Sequence, residues 1–479
     1  MVANENRIEE DLLGKKEVPV SAYYGIQTVR AYENFNITGY PIDSELIQAI
    51  ALVKKAAALA NMEIGRLDRT KGDAIVKAAE DVMEGNLHEQ FIVDPIQGGA
   101  GTSVNMNANE VIANRALEYL GKEKGNYDVI HPNIHVNMAQ STNDAFPTAI
   151  HIATVAFMDR LLETLKLLET TFYEKGKEFD DVIKMGRTHL QDAVPKQLGQ
   201  EFQAYGRVLS RDIRRIRNSY DALLEVNLGA TAVGTGLNAD PEYMKRAVEI
   251  IKDLTNVPFE NAENLVDGTQ NTDAYTEVSA ALKICMVNMS KVANDLRLMS
   301  SGPRAGFAEI NLPARQPGSS IMPGKVNPVI CEVVNQVAFQ VIGNDHTISM
   351  ASEAGQFELN VMEPVLVFNL HQSLRIMTQV FETFRKYCIE GIEANIEICK
   401  KYVDRSVGII TALNPHVGYK VATKVAKEAI ETEKPIREII LRDKILSKEA
   451  MDQILDPIEM TQPGIAGENV KHIQNEIKI

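Results

Sequence analysis

The sequence predicts an all-α protein whose long helices form a central bundle that is shared between subunits. Apolar residues at alternating steps of three and four mark one helix face as a heptad seam: Leu282, Cys285, Met289, Val292, Leu296 and Met299. Two more helical stretches run from Leu198 to Leu223 and, without an internal proline, from about Thr148 to Phe179. A helix of about 30 residues is about 45 Å long, which is too long for one small domain to enclose. We therefore expect side-by-side packing, with the seam from Leu282 to Met299 facing another subunit.

The helical pattern breaks where small and polar residues concentrate. These breaks lie near residues 98–103, 130–147, 185–196, 229–240 and 301–328. Weak strand signals occur at Gly186 to Leu190 and on the approach to Ile130. A length of 479 residues favours two to four domains. We expect a mostly helical N-terminal domain (1–142), a central long-helix domain (143–397) and a small helical C-terminal domain (398–479).

Composition excludes several classes of function. The formal net charge of −15 argues against binding to nucleic acid or to an anionic membrane surface. No apolar run approaches the roughly 18 residues that a membrane span requires. The four cysteines form no CxxC pair, and the N-terminus carries no secretory apolar region. We therefore expect a cytoplasmic protein with free thiols.

The segment 318–328, GSSIMPGKVNP, has the composition of a constrained loop, because its glycines and prolines block regular helix. Lys325 beside Asn327 can hold a carboxylate by charge and hydrogen bonding. Ser319 or Ser320 can act as a base if the lysine and backbone N–H groups stabilise its alkoxide. From composition and spacing alone, a solvent-exposed turn without a catalytic role is the simpler interpretation.

Two further polar segments precede predicted helices. Residues 98–110, GGAGTSVNMNANE, fit neither a P-loop nor a dinucleotide fingerprint, which leaves an anion site with Thr102 and Ser103 as donors, or simple N-capping. Residues 140–144, QSTND, place Ser141, Thr142 and Asn143 together before Pro147. These three side chains suit either a substrate clamp or an N-cap cluster.

Three histidines have the chemistry of metal ligands or of catalytic bases. His131 and His135 lack the glutamate of an HExxH motif and an obvious third ligand, so we predict no metal there. Thr188 and His189 stand in GRTHLQDAVP, where a structural histidine is the simpler interpretation. A serine hydrolase is disfavoured, because the sequence has no GxSxG elbow.

The segment GSSIMPGKVNP resembles, residue for residue, the mobile loop of the aspartase/fumarase superfamily. The resemblance extends over nearly the whole chain, through RIEEDLLG (7–14), YYGIQTVRAYENF (23–35), LGATAVGTGLN (228–238) and TALNPHVGY (411–419). It implies a homotetramer that binds a small dicarboxylate in sites each built from three chains, without an organic cofactor or catalytic metal. It implies Ser319 as the general base, with His189 paired to Glu332 in the site. The substrate-binding residues it implies are Thr102, Ser141, Thr142, Asn143, Thr188, Ser320, Met322 (through its backbone), Lys325 and Asn327, with Asn107 in the same segment as Thr102.

Three features favour the branch of this family that deaminates L-aspartate reversibly to fumarate and ammonia through an enediolate. Fumarases usually read QSSND where this chain has QSTND, NVFKP where it has NVMEP (360–364), and Thr where it has Leu190. His189 resembles the fumarase histidine, although some aspartases keep it. The anion site that fumarases build on HPND is not expected, because Ile134 takes the fourth position. A fumarase and a catalytically inactive structural bundle remain possible from the sequence.

Overall fold

The computed structural model describes residues 6–468, and in this part of the chain helices dominate. The helices are α1 (Ile26–Asn34), α2 (Ser44–Glu63), α3 (Arg69–Met83), α4 (Thr102–Tyr119), α5 (Thr142–Glu178), α6 (Leu198–Tyr220), α7 (Pro241–Thr255), α8 (Asp267–Gln270), α9 (Asp273–Met299), α10 (Val329–Glu353), α11 (Glu363–Tyr387), α12 (Ile396–Arg405), α13 (Asn414–Val417), α14 (Tyr419–Thr432), α15 (Ile436–Arg442) and α16 (Lys448–Ile454). The predicted all-α class is confirmed.

Between residues 6 and 468, the strands pair into two-stranded sheets. They are β1 (Asn6–Asp11), β2 (Gly14–Pro19), β3 (Ile183–Thr188), β4 (Gln191–Gln197), β5 (Glu225–Val226), β6 (Glu260–Asn261), β7 (Ile310–Asn311) and β8 (Glu393–Ala394). The signal at Gly186 belongs to the antiparallel β3–β4 hairpin. The strand signal before Ile130 is wrong, because turns lead there into a π-helical turn at Pro132–Val136.

The long helices predicted from apolar periodicity are confirmed. The longest, α5, is continuous over 37 residues, which at 1.5 Å per residue is about 55 Å. The expected role of the heptad seam is wrong, because its residues from Leu282 to Met299 are at most 7% exposed within the single chain. Periodicity indicated that this face is buried, but it could not indicate against which chain.

The chain divides into two compact units, and each is assembled from separate stretches. Unit 1 comprises residues 1–163, 212–287 and 337–379, and unit 2 comprises residues 164–211, 288–336 and 380–479. Part of the core of unit 2 gathers apolar residues of the C-terminal helices around Met185 of β3. The three consecutive domains predicted from the sequence are a different division of the chain and stay a prediction.

No helix between residues 6 and 468 is long and apolar enough to cross a membrane.

Candidate active site

In unit 1, Asp144 organises the start of α5. Its carboxylate accepts the backbone N–H of Ser141 at 2.9 Å, as the acid of a capping box does, and the N–H groups of Gly229 at 3.0 Å and Thr231 at 2.9 Å. The side chain is fully buried, and burial raises its pKa to about 7 although these hydrogen bonds act to lower it. Asp144 therefore fastens the 141–143 segment to the loop that follows β5.

A buried lysine supports the same segment. Lys54 of α2 donates to the side-chain oxygens of Asn105 at 2.6 Å, Asn137 at 2.8 Å and Gln140 at 2.8 Å. Burial lowers its pKa to about 7, and the charge of Asp144 opposes that shift. Asn105 in turn donates to the hydroxyl oxygen of Thr142 at 3.1 Å. Sequence reasoning missed both Lys54 and Asp144, although a charged residue inside the apolar run ALVKKAAALA was a visible signal.

Asn143 is held at both its side chain and its backbone. Its side-chain amide donates to the carbonyl of Ala232 at 2.7 Å. Its own carbonyl lies four residues before Pro147, which has no N–H to complete the helical hydrogen bond. The side-chain amide of Asn227 donates to that carbonyl at 2.9 Å instead. Pro147, which lies inside α5, therefore leaves the Asn143 carbonyl available to a tertiary partner.

Thr102 begins α4 and is exposed, while its hydroxyl donates to the carbonyl of Gly99 at 2.7 Å. Asn107 is buried, and its side chain bonds the backbone of Gln90 and Ile92 at 2.9 and 3.1 Å. Asn107 thus fixes a neighbouring loop, whereas Thr102 presents its side chain to solvent.

In unit 2, the β3–β4 hairpin presents Thr188 and His189 at its exposed tip. The two turn residues, His189 and Leu190, both have left-handed backbones with φ of 54° and 63°. Tight hairpins require this conformation, which asparagine and glycine normally supply. Residues with strained backbones cluster at functional sites.

The base of that hairpin is fastened by charge. Arg187 donates to Oε1 of the fully buried Glu309 at 2.7 Å, and Lys184 lies 3.1 Å from Oε2. The Arg187 guanidinium also lies 4.3 Å from the centroid of the Phe307 ring. Because residues 307–309 precede the 318–328 loop in the chain, the hairpin and the stretch leading to the loop share one anchor.

The 318–328 loop closes on itself. The N–H of Gly318 donates to the carbonyl of Lys325 at 2.7 Å, and the side-chain amide of Asn327 donates to the Gly318 carbonyl at 2.8 Å. The hydroxyl oxygen of Ser319 accepts the backbone N–H groups of Ile321 at 3.2 Å and Met322 at 3.0 Å. Two N–H donors on one hydroxyl oxygen favour its alkoxide form, since hydrogen bonding to a charged species stabilises it.

The loop borders a cavity of about 980 Å³ in unit 2. Lys325, Asn327 and Glu332 line it, and Arg297 of α9 adds a second positive charge that sequence reasoning missed. Arg297 is positioned by a hydrogen bond of 3.1 Å to the side-chain oxygen of Asn335. The cavity thus offers two cations and an amide donor, which suits a small carboxylate ligand.

Within one chain, the predicted site residues fall into two groups. Unit 1 contains Thr102, Ser141, Thr142 and Asn143, and unit 2 contains Thr188, His189, Ser319, Ser320, Met322, Lys325, Asn327 and Glu332. Among residues 6–468, no hydrogen bond or ion pair joins His189 to Glu332, or the hairpin tip to the 318–328 loop. The pairing of His189 with Glu332 therefore stays a prediction.

A ring nitrogen of His131 and one of His135 each accept a backbone N–H. Nδ1 of His131 accepts the N–H of Asn133 at 3.0 Å, and Nδ1 of His135 accepts the N–H of His131 at 2.9 Å. In the described part of the chain, no group of three or more His, Cys, Asp or Glu side chains could ligate a metal ion.

Comparison with known proteins establishes the family. The profile of the lyase family matches residues 14–343, and that of the fumarase C C-terminus matches residues 409–462. An aspartate ammonia-lyase of Bacillus subtilis strain 168 is 64% identical over 97% of this chain and 98% of the relative. One from Helicobacter pylori is 53% identical over 95% of this chain and 98% of the relative.

Two solved structures are also similar to this chain. A fumarate lyase:delta crystallin from Brucella melitensis bound to cobalt superimposes with a TM-score of 0.93 at 48% identity, covering 96% of this chain and all of the other. A class II fumarase from Schistosoma mansoni gives a TM-score of 0.92 at 37% identity, with 96% of this chain and 100% of the other covered. The predicted family is confirmed: this chain belongs to the aspartate ammonia-lyases, carbon–nitrogen lyases of the aspartase/fumarase superfamily.

Proposed function

We propose that this protein deaminates L-aspartate reversibly to fumarate and ammonia, with Ser319 as the general base. The observation that carries the proposal is the position of the Ser319 hydroxyl oxygen, which accepts two backbone N–H groups in the loop that supplies Lys325 and Asn327 to the cavity. The aspartate ammonia-lyases that share 64% and 53% identity with the chain support the substrate assignment.

The reaction requires removal of a weakly acidic proton from C3 of aspartate, beside a carboxylate that is already negative. The resulting enediolate carries extra charge on that carboxylate, so its stabilisation is the main catalytic requirement. In the proposed site, Thr102, Ser141, Thr142 and Ser320 bind this carboxylate. Thr188, Lys325 and Asn327 bind the other carboxylate, and the N–H of Met322 adds a donor. Asn143 and His189 lie near the departing amino group, and Glu332 orients the His189 ring.

A base made from serine needs a stabilised alkoxide. The N–H groups of Ile321 and Met322 supply two dipoles aimed at the Ser319 oxygen, and the Lys325 cation follows on the same short loop. Such an arrangement lowers the free energy of the charged form before substrate arrives. It favours Ser319 over Ser320, whose hydroxyl makes no hydrogen bond with another residue in the described part of the chain.

The proposed assembly is a homotetramer in which each active site draws residues from three chains. Ser141 precedes α5 and Thr188 follows it, and the helix between them is about 55 Å long at 1.5 Å per residue. Several chains are therefore needed to bring such residues together. Exposed apolar residues on one face of α10, Phe339 at 67% and Met350 at 60%, offer a surface for a neighbouring copy. A cytoplasmic location belongs to the same proposal and is supported by the four unpaired cysteines.

The test is ultraviolet detection of fumarate from purified protein supplied with L-aspartate and, separately, with L-malate. We expect fumarate to form much faster from aspartate, and Ser319→Ala to abolish both signals if one site serves both substrates. Equal or faster turnover of malate would identify a fumarase instead. Absence of turnover with both substrates would indicate an inactive structural protein.

A further inference from the structure

Unit 1 contains a polar cavity of about 230 Å³ that the proposed chemistry does not use. Its walls come from the early turns of α5, the stretch after α6, the start of α9 and the first residue of α11. None of the predicted substrate-binding residues lines it. A polar cavity of this size accommodates a small ligand together with water.

Two buried polar groups on its wall have no hydrogen-bond partner among residues 6–468. Glu363 is 3% exposed, and its Oε2 makes no hydrogen bond in the described part of the chain. Thr148 is 1% exposed, and its hydroxyl is likewise without a partner there. Buried polar atoms are nearly always hydrogen-bonded, because an unpaired one carries the full penalty of its desolvation. Each group has an oxygen that can accept a hydrogen bond, so a bound donor would satisfy both.

The Asp and Glu side chains that line the cavity are not balanced by any lysine or arginine within residues 6–468. Besides Glu363, the acidic side chains that line it are Asp221, Glu225, Asp267 and Asp273. His151 adds no positive charge, because burial lowers its pKa to about 4 while its Nδ1 bonds the carbonyl of Leu223 at 2.9 Å. Burial also holds the pKa of the Tyr275 phenol far above its usual range, so that group stays neutral. The cavity therefore attracts cations and repels anions.

The acidic side chains do not converge as metal ligands, since no group of three or more His, Cys, Asp or Glu in the described chain can hold a metal ion. A cation that donates hydrogen bonds to isolated oxygen acceptors fits better. We propose that this cavity is a binding site for a small ammonium-type cation, ammonium itself or a primary alkylammonium, which donates to the Glu363 carboxylate and the Thr148 hydroxyl.

The protonation of Glu363 agrees with this assignment. Burial raises the pKa of its carboxyl to about 8. A cation bound beside it stabilises the carboxylate, so binding displaces a proton and becomes tighter as pH rises through that value.

The site is connected to the predicted substrate clamp by hydrogen bonds. Asn227, which lines the cavity, donates to the carbonyl of Asn143 at 2.9 Å and to the hydroxyl of Thr269 at 3.0 Å. A ligand in the cavity can therefore alter the position of the 141–143 segment. The binding site itself does not depend on the proposed reaction, because none of its residues takes part in that reaction.

The test is calorimetric titration of the full-length protein with methylammonium chloride in an amine-free buffer. Wild type is compared with Glu363→Gln, with Thr148→Val and with Glu353→Gln, a control that removes an exposed carboxylate outside the cavity. We expect Glu363→Gln to weaken binding at least about tenfold, which corresponds to 1.4 kcal/mol, and Thr148→Val to weaken it less. The control should bind as wild type does.

Infrared difference spectra provide a second measurement. In wild type, methylammonium should remove the band of a protonated carboxyl group, and Glu363→Gln should show no such change. Tetramethylammonium, which has no N–H donor, should bind far more weakly. Equal binding by Glu363→Gln and wild type, equal binding of tetramethylammonium, or no binding at all would overturn the proposal. Aspartate turnover is measured separately, so a failure here leaves the proposed function standing, and the reverse also holds.

Discussion

The side-chain amide nitrogen of Asn227 lies 2.9 Å from the carbonyl oxygen of Asn143. Pro147 leaves that carbonyl available for the contact, because it lacks the N–H that a helix would place there. The hydrogen bond therefore fixes the backbone of a residue that we expect to contact the substrate amino group.

We predict that Asn227→Ala lowers kcat/KM for aspartate by about 5- to 150-fold, since leaving the partly buried Asn143 carbonyl without this hydrogen bond costs about 1–3 kcal/mol. Steady-state kinetics of fumarate formation measure the effect. Asn36→Ala, which removes an exposed asparagine of unit 1, serves as the control and should behave as wild type. Unchanged kinetics for Asn227→Ala would show that the Asn143 backbone needs no such support.

Ser319→Ala should lower kcat by about 10²–10⁴, the usual contribution of a general base, and leave the fold intact. Lys325→Ala should differ from Ser319→Ala by raising the KM for aspartate strongly as well. It removes the charge that binds the substrate carboxylate in the ground state. Full kinetic curves and circular dichroism distinguish the two variants. A near-normal kcat in Ser319→Ala would assign the base to Ser320 or another group.

The strained hairpin tip predicts an unusual stabilising substitution. Leu190 has a φ of 63° and is 61% exposed, so it bears the cost of a left-handed backbone without burying its side chain. Leu190→Gly should raise the free energy of unfolding by about 1 kcal/mol, while Leu190→Val, β-branched at the same φ, should lower it. Thermal unfolding midpoints of the pair provide the measurement. An equal decrease in both variants would show that the leucine side chain itself stabilises the turn.

The Glu363 carboxyl should make the free energy of unfolding depend on pH. Its pKa is raised to about 8 in the folded protein, against about 4.3 when unfolded. The folded state thus binds the proton more tightly than the unfolded state does. The contribution of this carboxyl to the free energy of unfolding is therefore complete below about pH 4.3 and is lost as the pH rises through 8. As the pH is raised from about 5 to about 8.5 in amine-free buffer, the thermal unfolding midpoint of wild type should decrease relative to that of Glu363→Gln. A difference that does not vary with pH would contradict the buried, unpaired state of this carboxyl.

The sequence predicted the features that depend on nearby residues. Apolar periodicity located α5 and α6, and the glycines and prolines of 318–328 predicted an irregular loop. The missed features join residues far apart in sequence: Lys54 with Asn137 and Gln140, or Asn143 with Asn227. A single sequence does not show which of many polar side chains will meet. The same holds for the seam from Leu282 to Met299. Its apolar period predicts that one helix face is buried, but it does not predict which chain packs against that face.

Complementation between two inactive variants tests the shared active site. Ser319 and His189 lie on different elements of unit 2, and within residues 6–468 no hydrogen bond or ion pair joins the 318–328 loop to the hairpin tip. If they reach a site from different chains, co-refolded mixtures of Ser319→Ala and His189→Ala will contain hybrid tetramers with some sites free of either substitution. Activity should then return well above that of either parent.

The matched control for that experiment is a mixture of Ser319→Ala with Lys325→Ala. Both residues belong to one closed loop, in which the N–H of Gly318 donates to the carbonyl of Lys325 at 2.7 Å. Each chain therefore delivers both positions to the same site, so every hybrid site keeps one substitution and mixing should restore nothing. Native mass spectrometry establishes that hybrids have formed. Recovery in the first mixture alone supports a site drawn from several chains, while equal behaviour of the two mixtures would place Ser319 and His189 on one chain.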